Sequence, residues 1–119
     1  MKLAASNLCW AAADDEAAWG KMKELGYTGL EIAPTRIFPQ APYDCLNGAA
    51  LFAGVMYQKY GFVIPSMQSI WYGQSGSIFD AADAARLEEY TGEAYQFARA
   101  CRCGSLVFGC PRQRAVPEG

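Results

Sequence analysis

The most constraining feature of this sequence is a repeated junction, in which a helical pattern ends at a glycine and a short apolar segment follows at once. The junction occurs three times, at Leu25–Tyr27, Tyr60–Phe62 and Cys103–Ser105, with the glycine in the middle of each. Glycine just past a helix adopts the left-handed conformation without the steric cost of a Cβ atom, so it ends a helix cleanly. The chain is therefore predicted to alternate helices with strands.

Hydrophobic periodicity predicts three helices. The first covers about 15–25, and the second begins at Asn47 or Gly48 and ends at Tyr60, with Asn47 as a plausible N-cap. The third has the clearest pattern, because apolar residues recur at spacings of three and four and form one stripe. The members of that stripe are Leu87, Tyr90, Thr91, Ala94, Phe97, Ala98 and Cys101.

Four short segments are predicted as strands, at 2–6, 28–33, 62–67 and 105–109. Pro65 has no N–H to donate, so the third strand is expected to be irregular or bulged. The order β-α-β-α-β-α-β favours parallel strands joined by helical crossovers. Either a four-stranded piece of a closed barrel or a small open sheet fits this order. No glycine-rich phosphate-binding motif follows the first strand, so a nucleotide-binding open sheet has no support.

Composition narrows the function classes. A net charge of −2 gives no general attraction for nucleic acid or an anionic membrane surface, and no apolar run is long enough to span a bilayer. The chain contains no histidine, which removes the commonest general base and transition-metal ligand. Five cysteines, an odd number without a secretory signal, argue against a disulfide framework and favour a reducing, cytoplasmic setting.

Five polar or aromatic residues are candidates for substrate binding, because functional sites on parallel sheets form where the strands end. The candidates are Glu31, Arg36, Gln68, Trp71 and Arg112. Amides and carboxylates hydrogen-bond to hydroxyl groups, and aromatic faces cover the apolar side of a sugar ring. The sequence therefore favours a polyhydroxylated small molecule as the ligand.

Each candidate also has a purely structural interpretation. Glu31 can pair with a nearby cation, Trp71 can plug the end of a barrel, and Arg112 and the nearby Arg114 can be solvated loop charges. Cys110 is the one thiol at this end of the strands considered for reactivity, although no histidine is available to activate it.

Three phrases, YTGLEIAPTRIF, IPSMQSIWYG and LVFGCPRQR, resemble the N-terminal half of bacterial proteins in the xylose-isomerase-like TIM-barrel family of sugar phosphate isomerases and epimerases. The resemblance covers essentially the whole chain. It implies an α/β fold, a half TIM barrel with four parallel strands, in which residues 1–119 form one domain that ends after strand four. It also implies a divalent metal, Mn, Mg or Zn, held in the full-length family by later strands, so no catalytic or metal-binding residue is assigned in this chain.

The function implied by the resemblance is metal-dependent isomerisation or epimerisation of a sugar or sugar phosphate, with this chain incomplete and inactive alone. The alternative is a non-catalytic sugar-binding or self-associating half-barrel module. Nucleic-acid processing is remote because the chain lacks histidine and carries a small negative charge. The open strand edges of a half barrel predict self-association or a missing C-terminal half.

Overall fold

The computed structural model describes all residues from 1 to 119 and contains four helices and two short parallel strands. The strands are β1 (Ala4–Ser6) and β2 (Gly29–Glu31), paired in register with Ala4 opposite Gly29. The helices are α1 (Asp15–Glu24), α2 (Pro34–Ile37), α3 (Leu46–Tyr60) and α4 (Ala81–Ala100). Single 3₁₀ turns at Ala12–Asp14 and Pro42–Asp44 precede α1 and α3.

The three long helices confirm the predicted helical segments. Gly26 and Gly61 take left-handed φ angles of 80° and 75° just past α1 and α3, as the repeated junction predicts. At the third junction the left-handed residue is Arg102, with φ 55°, so assigning that role to Gly104 was wrong. Asn47 is not the cap of α3 either, because the helix begins one residue earlier and Cys45 occupies the cap position.

The predicted half TIM barrel with four parallel strands is wrong. Only β1 and β2 form a ladder. The third segment joins β2 through isolated parallel bridges, Gly29–Val63 and Ile32–Met67, and the fourth joins the third through the single bridge Met67–Leu106. The result is a two-stranded sheet flanked by two extended segments.

Pro65 explains why the third segment does not become a full strand. The paired residues are 34 positions apart in the sequence at Gly29–Val63 but 35 apart at Ile32–Met67. The third segment therefore has one residue more than its partner between the two bridges. Leu30 N donates to Val63 O, but the next donor, Ile32 N, reaches Ser66 O. A proline cannot donate to the ladder, and an extra residue in one strand is the geometry of a bulge. The irregularity expected from Pro65 is confirmed.

The core lies between the helices and the face of the sheet that carries Leu30 and Ile32, both fully buried. The stripe of α4 faces this core, as its periodicity predicts, and packs against α3. Edge-to-face aromatic contacts join α4 to the segment between α2 and α3, with Phe97 against both Phe38 and Tyr43. None of the helices combines the length and apolar character needed to cross a bilayer.

Candidate functional site

Four polar side chains converge on the face of the sheet opposite the core, and we call them the carboxylate cluster: Ser6, Glu31, Ser66 and Gln68. Gln68 Nε2 donates to Glu31 Oε1 at 2.7 Å and to Ser6 Oγ at 2.6 Å. Ser66 Oγ donates to the other oxygen, Glu31 Oε2, at 2.5 Å. All four side chains are half-buried, so the cluster is both internally bonded and open to solvent.

Strand alternation and the bulge together build this cluster. Successive side chains of a strand point to opposite faces, so Glu31 lies on the open face while its neighbours Leu30 and Ile32 enter the core. Ser66 and Gln68 share a face because they are two residues apart, and the extra residue at Pro65 brings that face opposite Glu31. The carboxylate and amide retain acceptor and donor capacity beyond these bonds, which suits hydroxyl groups of a ligand.

A cleft of about 570 Å³ is lined by residues that follow Gln68 in the chain, and none of its lining residues belongs to the carboxylate cluster. We call it the loop cleft. Its nine lining residues come from two loops, Ser69–Gln74 without Ile70, and Cys110–Gln113. Gln113 is buried and joins the loops, because its Nε2 donates to Gln74 O at 2.7 Å.

The loop cleft also contains backbone strain. Ser69 and Cys110 line it and both hold left-handed φ angles, 55° and 44°. Non-glycine residues in this region cost about 1–3 kcal/mol each and cluster at functional sites. Two of the four non-glycine residues with left-handed φ angles therefore line the loop cleft beside its polar groups.

The two candidate arginines of the last loop have different environments. Arg114 Nη1 donates to the carbonyl oxygens of Phe108 and Gly109, and its guanidinium lies over the Phe108 ring. Arg112 is exposed, lines the loop cleft and makes no hydrogen bond or salt bridge within the chain. Arg112 is thus the guanidinium at this site that is available to an anionic ligand.

Trp71 is a packing residue more than an open stacking surface. Its side chain is 6% exposed, its Nε1 donates to Thr91 Oγ1 at 2.7 Å, and its ring meets Phe108 edge-to-face at 4.7 Å. The neighbouring Tyr72, 69% exposed and also in the loop cleft, is the aromatic side chain that a ligand can reach. The sequence had predicted Trp71 as the ligand-binding aromatic residue. Only the packing of Trp71 against α4 shows that Tyr72, and not Trp71, is exposed to a ligand.

Arg36 makes no contact with the carboxylate cluster and instead links two helices. Its guanidinium forms a two-pronged ion pair with Asp15, at 2.9 and 3.2 Å, and both side chains are less than a quarter exposed. Trp10 Nε1 donates to the same carboxylate at 2.8 Å. This ion pair ties α2 to the first turn of α1, and the structure brings Arg36 to no other candidate residue.

Three of the five cysteine thiols, those of Cys101, Cys103 and Cys110, are held in the neutral form. Burial raises the pKa of the Cys101 thiol to about 12, and burial also raises the pKa values of Cys103 and Cys110. The thiolate is the nucleophilic form, so Cys110 has the wrong ionisation for a nucleophile at neutral pH. Cys101 is a core residue, as its position in the stripe of α4 predicts.

The site residues missed by sequence reasoning are Ser6 and Ser66. The alternation of side chains along a strand could have identified Ser66, which lies two residues before Gln68 and so on the same face. The pairing of β1 with β2 places Ser6 opposite Glu31. No group of three or more cysteine, aspartate or glutamate side chains is placed to ligate a metal ion.

No family model, no curated protein and no solved structure matches this chain. The resemblance to the xylose-isomerase-like family therefore stays a prediction from short phrases, and function is inferred below from the geometry of the carboxylate cluster and the loop cleft.

Proposed function

We propose that this chain binds a sugar or sugar phosphate at the carboxylate cluster and the loop cleft, and that it does not turn the ligand over by itself. The observation that carries this proposal is the hydrogen-bonded set formed by Glu31, Gln68 and Ser6 on the solvent-facing side of the sheet. A half-buried carboxylate held by an amide and hydroxyls is oriented before a ligand arrives, which lowers the ordering cost of binding.

In this proposal the loop cleft receives the phosphate group of the ligand, since its lining begins at Ser69, the residue after Gln68. Arg112 supplies an unpaired guanidinium, whose planar fork matches the oxygens of a phosphate ester. Tyr72 supplies an exposed ring for the apolar face of a sugar. The cleft volume, about 570 Å³, lies within the range of small-molecule sites.

Binding without turnover is favoured because the chain brings no histidine and no set of metal ligands to the cluster. Proton transfer next to a sugar carbonyl needs a positioned base and a group that stabilises the developing negative charge. Isomerisation or epimerisation, which the resemblance implies, is proposed only for a larger assembly that adds those groups. A cytoplasmic location belongs to the same proposal and is supported by the odd number of cysteines.

Calorimetric titration with pentoses, hexoses, their phosphate esters and inorganic phosphate tests the proposal. Arg112→Gln should weaken binding of phosphate esters roughly 10-fold or more, since hydrogen bonds to charged groups contribute about 1.5–3 kcal/mol. Glu31→Gln should weaken neutral and phosphorylated sugars alike. The matched control is Arg99→Gln, which removes an exposed guanidinium that makes no hydrogen bond in the chain.

Two results would contradict the proposal. The first is the absence of binding heat, and of chemical-shift change, for every sugar in the panel at millimolar concentration. The second is conversion of any sugar to an isomer by this chain when manganese is added, because that outcome would show the chain to be catalytically complete.

A further inference from the structure

Another cleft, of about 600 Å³, lies between α3 and the end of α4, and we call it the α3–α4 cleft. Three stretches of chain line it: one side of α3 between Ala50 and Gln58, the start of the third extended segment at Phe62–Ile64, and Arg99–Arg102. It shares no lining residue with the carboxylate cluster or the loop cleft. A ligand of this cleft is therefore independent of the proposed sugar site.

The walls of the α3–α4 cleft are largely apolar. Phe62 and Ile64 are buried and form its inner side, whereas Tyr57 and Val63 are 64% and 53% exposed. A ligand that covers such exposed apolar surface gains free energy in proportion to the area removed from water. The volume of about 600 Å³ lies within the range of small-molecule sites. The cleft is thus suited to the apolar body of a small molecule.

Two arginines give this apolar cleft a positive charge. Arg99 and Arg102 both line it, are exposed, and make no side-chain hydrogen bond or salt bridge within the chain. No lining residue is acidic, and α3 contains no aspartate or glutamate. The last acidic residue of α4, Glu93, precedes Arg99 by six positions, about 9 Å along the helix axis. The walls of the cleft therefore leave both guanidinium groups available to an anion from solution.

The backbone at Arg102 indicates that its side chain does not serve the helix end. Arg102 N donates to Arg99 O and Cys103 N donates to Ala98 O, so backbone groups alone close the end of α4. Arg102 holds a φ of 55° at a position where glycine would carry no steric cost. Non-glycine residues held in this conformation cluster at functional sites. The strained residue of this junction is thus one of the two cations of the cleft.

We propose that the α3–α4 cleft binds a small apolar acid, an alkyl or aryl chain that ends in a carboxylate. Arg99 and Arg102 hold the carboxylate, because the planar guanidinium matches its two oxygens. The chain of the ligand lies against Tyr57 and Val63. A flat anionic surface would contact the exposed arginines but leave the inner wall at Phe62 uncovered, so a narrow molecule fits this cleft better.

Calorimetric titration, together with chemical-shift mapping, tests the proposal with four probes: decanoate, decanol, decylamine and acetate. Decanoate should bind one to one and shift the amide signals of residues 57–64 and 99–102. Decanol and decylamine have the same chain without the negative charge, so each should bind at least about 10-fold more weakly. Acetate has the charge without the chain and should give no measurable heat.

Arg102→Gly separates binding from folding. It should weaken decanoate binding roughly 10-fold by removing one guanidinium, while the urea midpoint stays at or above that of the wild type because glycine relieves the positive φ. Loss of folding cannot produce this combination. Arg99→Gln, which should leave sugar affinity unchanged, should also weaken decanoate binding. The control is Lys21→Gln, which removes an exposed cation from α1, a helix that lines no part of the cleft.

Three results would overturn the proposal. Decanol that binds as tightly as decanoate would show that the arginines do not select an anion. Unchanged decanoate affinity in both arginine variants would place the acid elsewhere. Absence of decanoate binding at millimolar concentration overturns it as well, and association with phosphatidylglycerol vesicles in that case would assign the surface to a membrane instead.

Discussion

Asn7 joins the ends of the two strands, and its replacement by alanine should destabilise the whole chain. Its backbone N donates to Glu31 O at 2.9 Å, and its side-chain Oδ1 accepts a hydrogen bond from Ala33 N, also at 2.9 Å. Asn7 and Ala33 are each 2% exposed, so water cannot replace the side-chain bond. The amide oxygen thus continues the pairing of β1 with β2 beyond the end of the ladder.

The magnitude follows from the group left behind. Asn7→Ala leaves the buried N–H of Ala33 without a partner, which costs about 1–3 kcal/mol. A chain of this length has an unfolding entropy of about 0.25 kcal/mol/K, so the midpoint of thermal unfolding should fall by roughly 4–12 °C. The measurement is thermal and urea unfolding followed by circular dichroism.

A control variant and a second measurement distinguish the loss of the hydrogen bond to Ala33 from a general effect of replacing asparagine by alanine. Asn47→Ala removes an exposed asparagine whose side chain forms no cap on α3, so its effect should stay within about 0.5 kcal/mol. Hydrogen exchange should show faster exchange of the Ala33 amide in Asn7→Ala than in the wild type. If Asn7→Ala unfolds within 1 °C of the wild type, the side-chain bond to Ala33 does not stabilise the fold and the reasoning is wrong.

Two further predictions concern ionisable groups. The free energy of unfolding should fall as the pH rises above about 9. Burial raises the pKa of the Cys101 thiol from 9.0 to about 12 and also raises the pKa of Tyr43, so the unfolded chain releases these protons at a lower pH than the folded chain does. Urea midpoints that stay constant from pH 8 to 11 would contradict this prediction. Arg36→Met should destabilise the chain by about 1–2 kcal/mol, between the values for exposed and buried ion pairs, because the Asp15 carboxylate keeps only its hydrogen bond from Trp10. The same change should leave sugar affinity unchanged. A loss of affinity in calorimetry without a loss of stability would show that Arg36 takes part in sugar binding.

Helix positions were predictable because their causes are local. The stripe of α4 is a property of spacing along the chain, and five of its seven members are buried, while Tyr90 and Thr91 are half-buried. Gly26 and Gly61 end their helices because a residue without Cβ adopts positive φ at no steric cost. Gly104 shows that a glycine after a helical pattern does not always mark the left-handed residue, because Arg102 adopts that conformation at the end of α4.

The candidate site was predictable in part. Glu31 and Gln68 were expected at the ends of strands, and they are hydrogen-bonded to each other at 2.7 Å. Arg36 and Trp71 were expected beside them, but the first is bound to Asp15 and the second is packed against α4 through Thr91. A residue type and a position at a strand end do not say which neighbour a long side chain will reach.

The sequence by itself determined the order of helices and extended segments, because helix periodicity, glycine stops and the missing N–H of Pro65 act over a few residues. Tertiary structure decided which segments became strands. A ladder needs donors and acceptors in matching register on two distant segments, and the offset between the Gly29–Val63 and Ile32–Met67 bridges interrupted that register. The same offset brought Ser66 and Gln68 within hydrogen-bonding distance of Glu31. The repeated helix–glycine–segment junction thus determined the alternation along the chain, while the pairing between segments determined both the size of the sheet and the polar cluster on its open face.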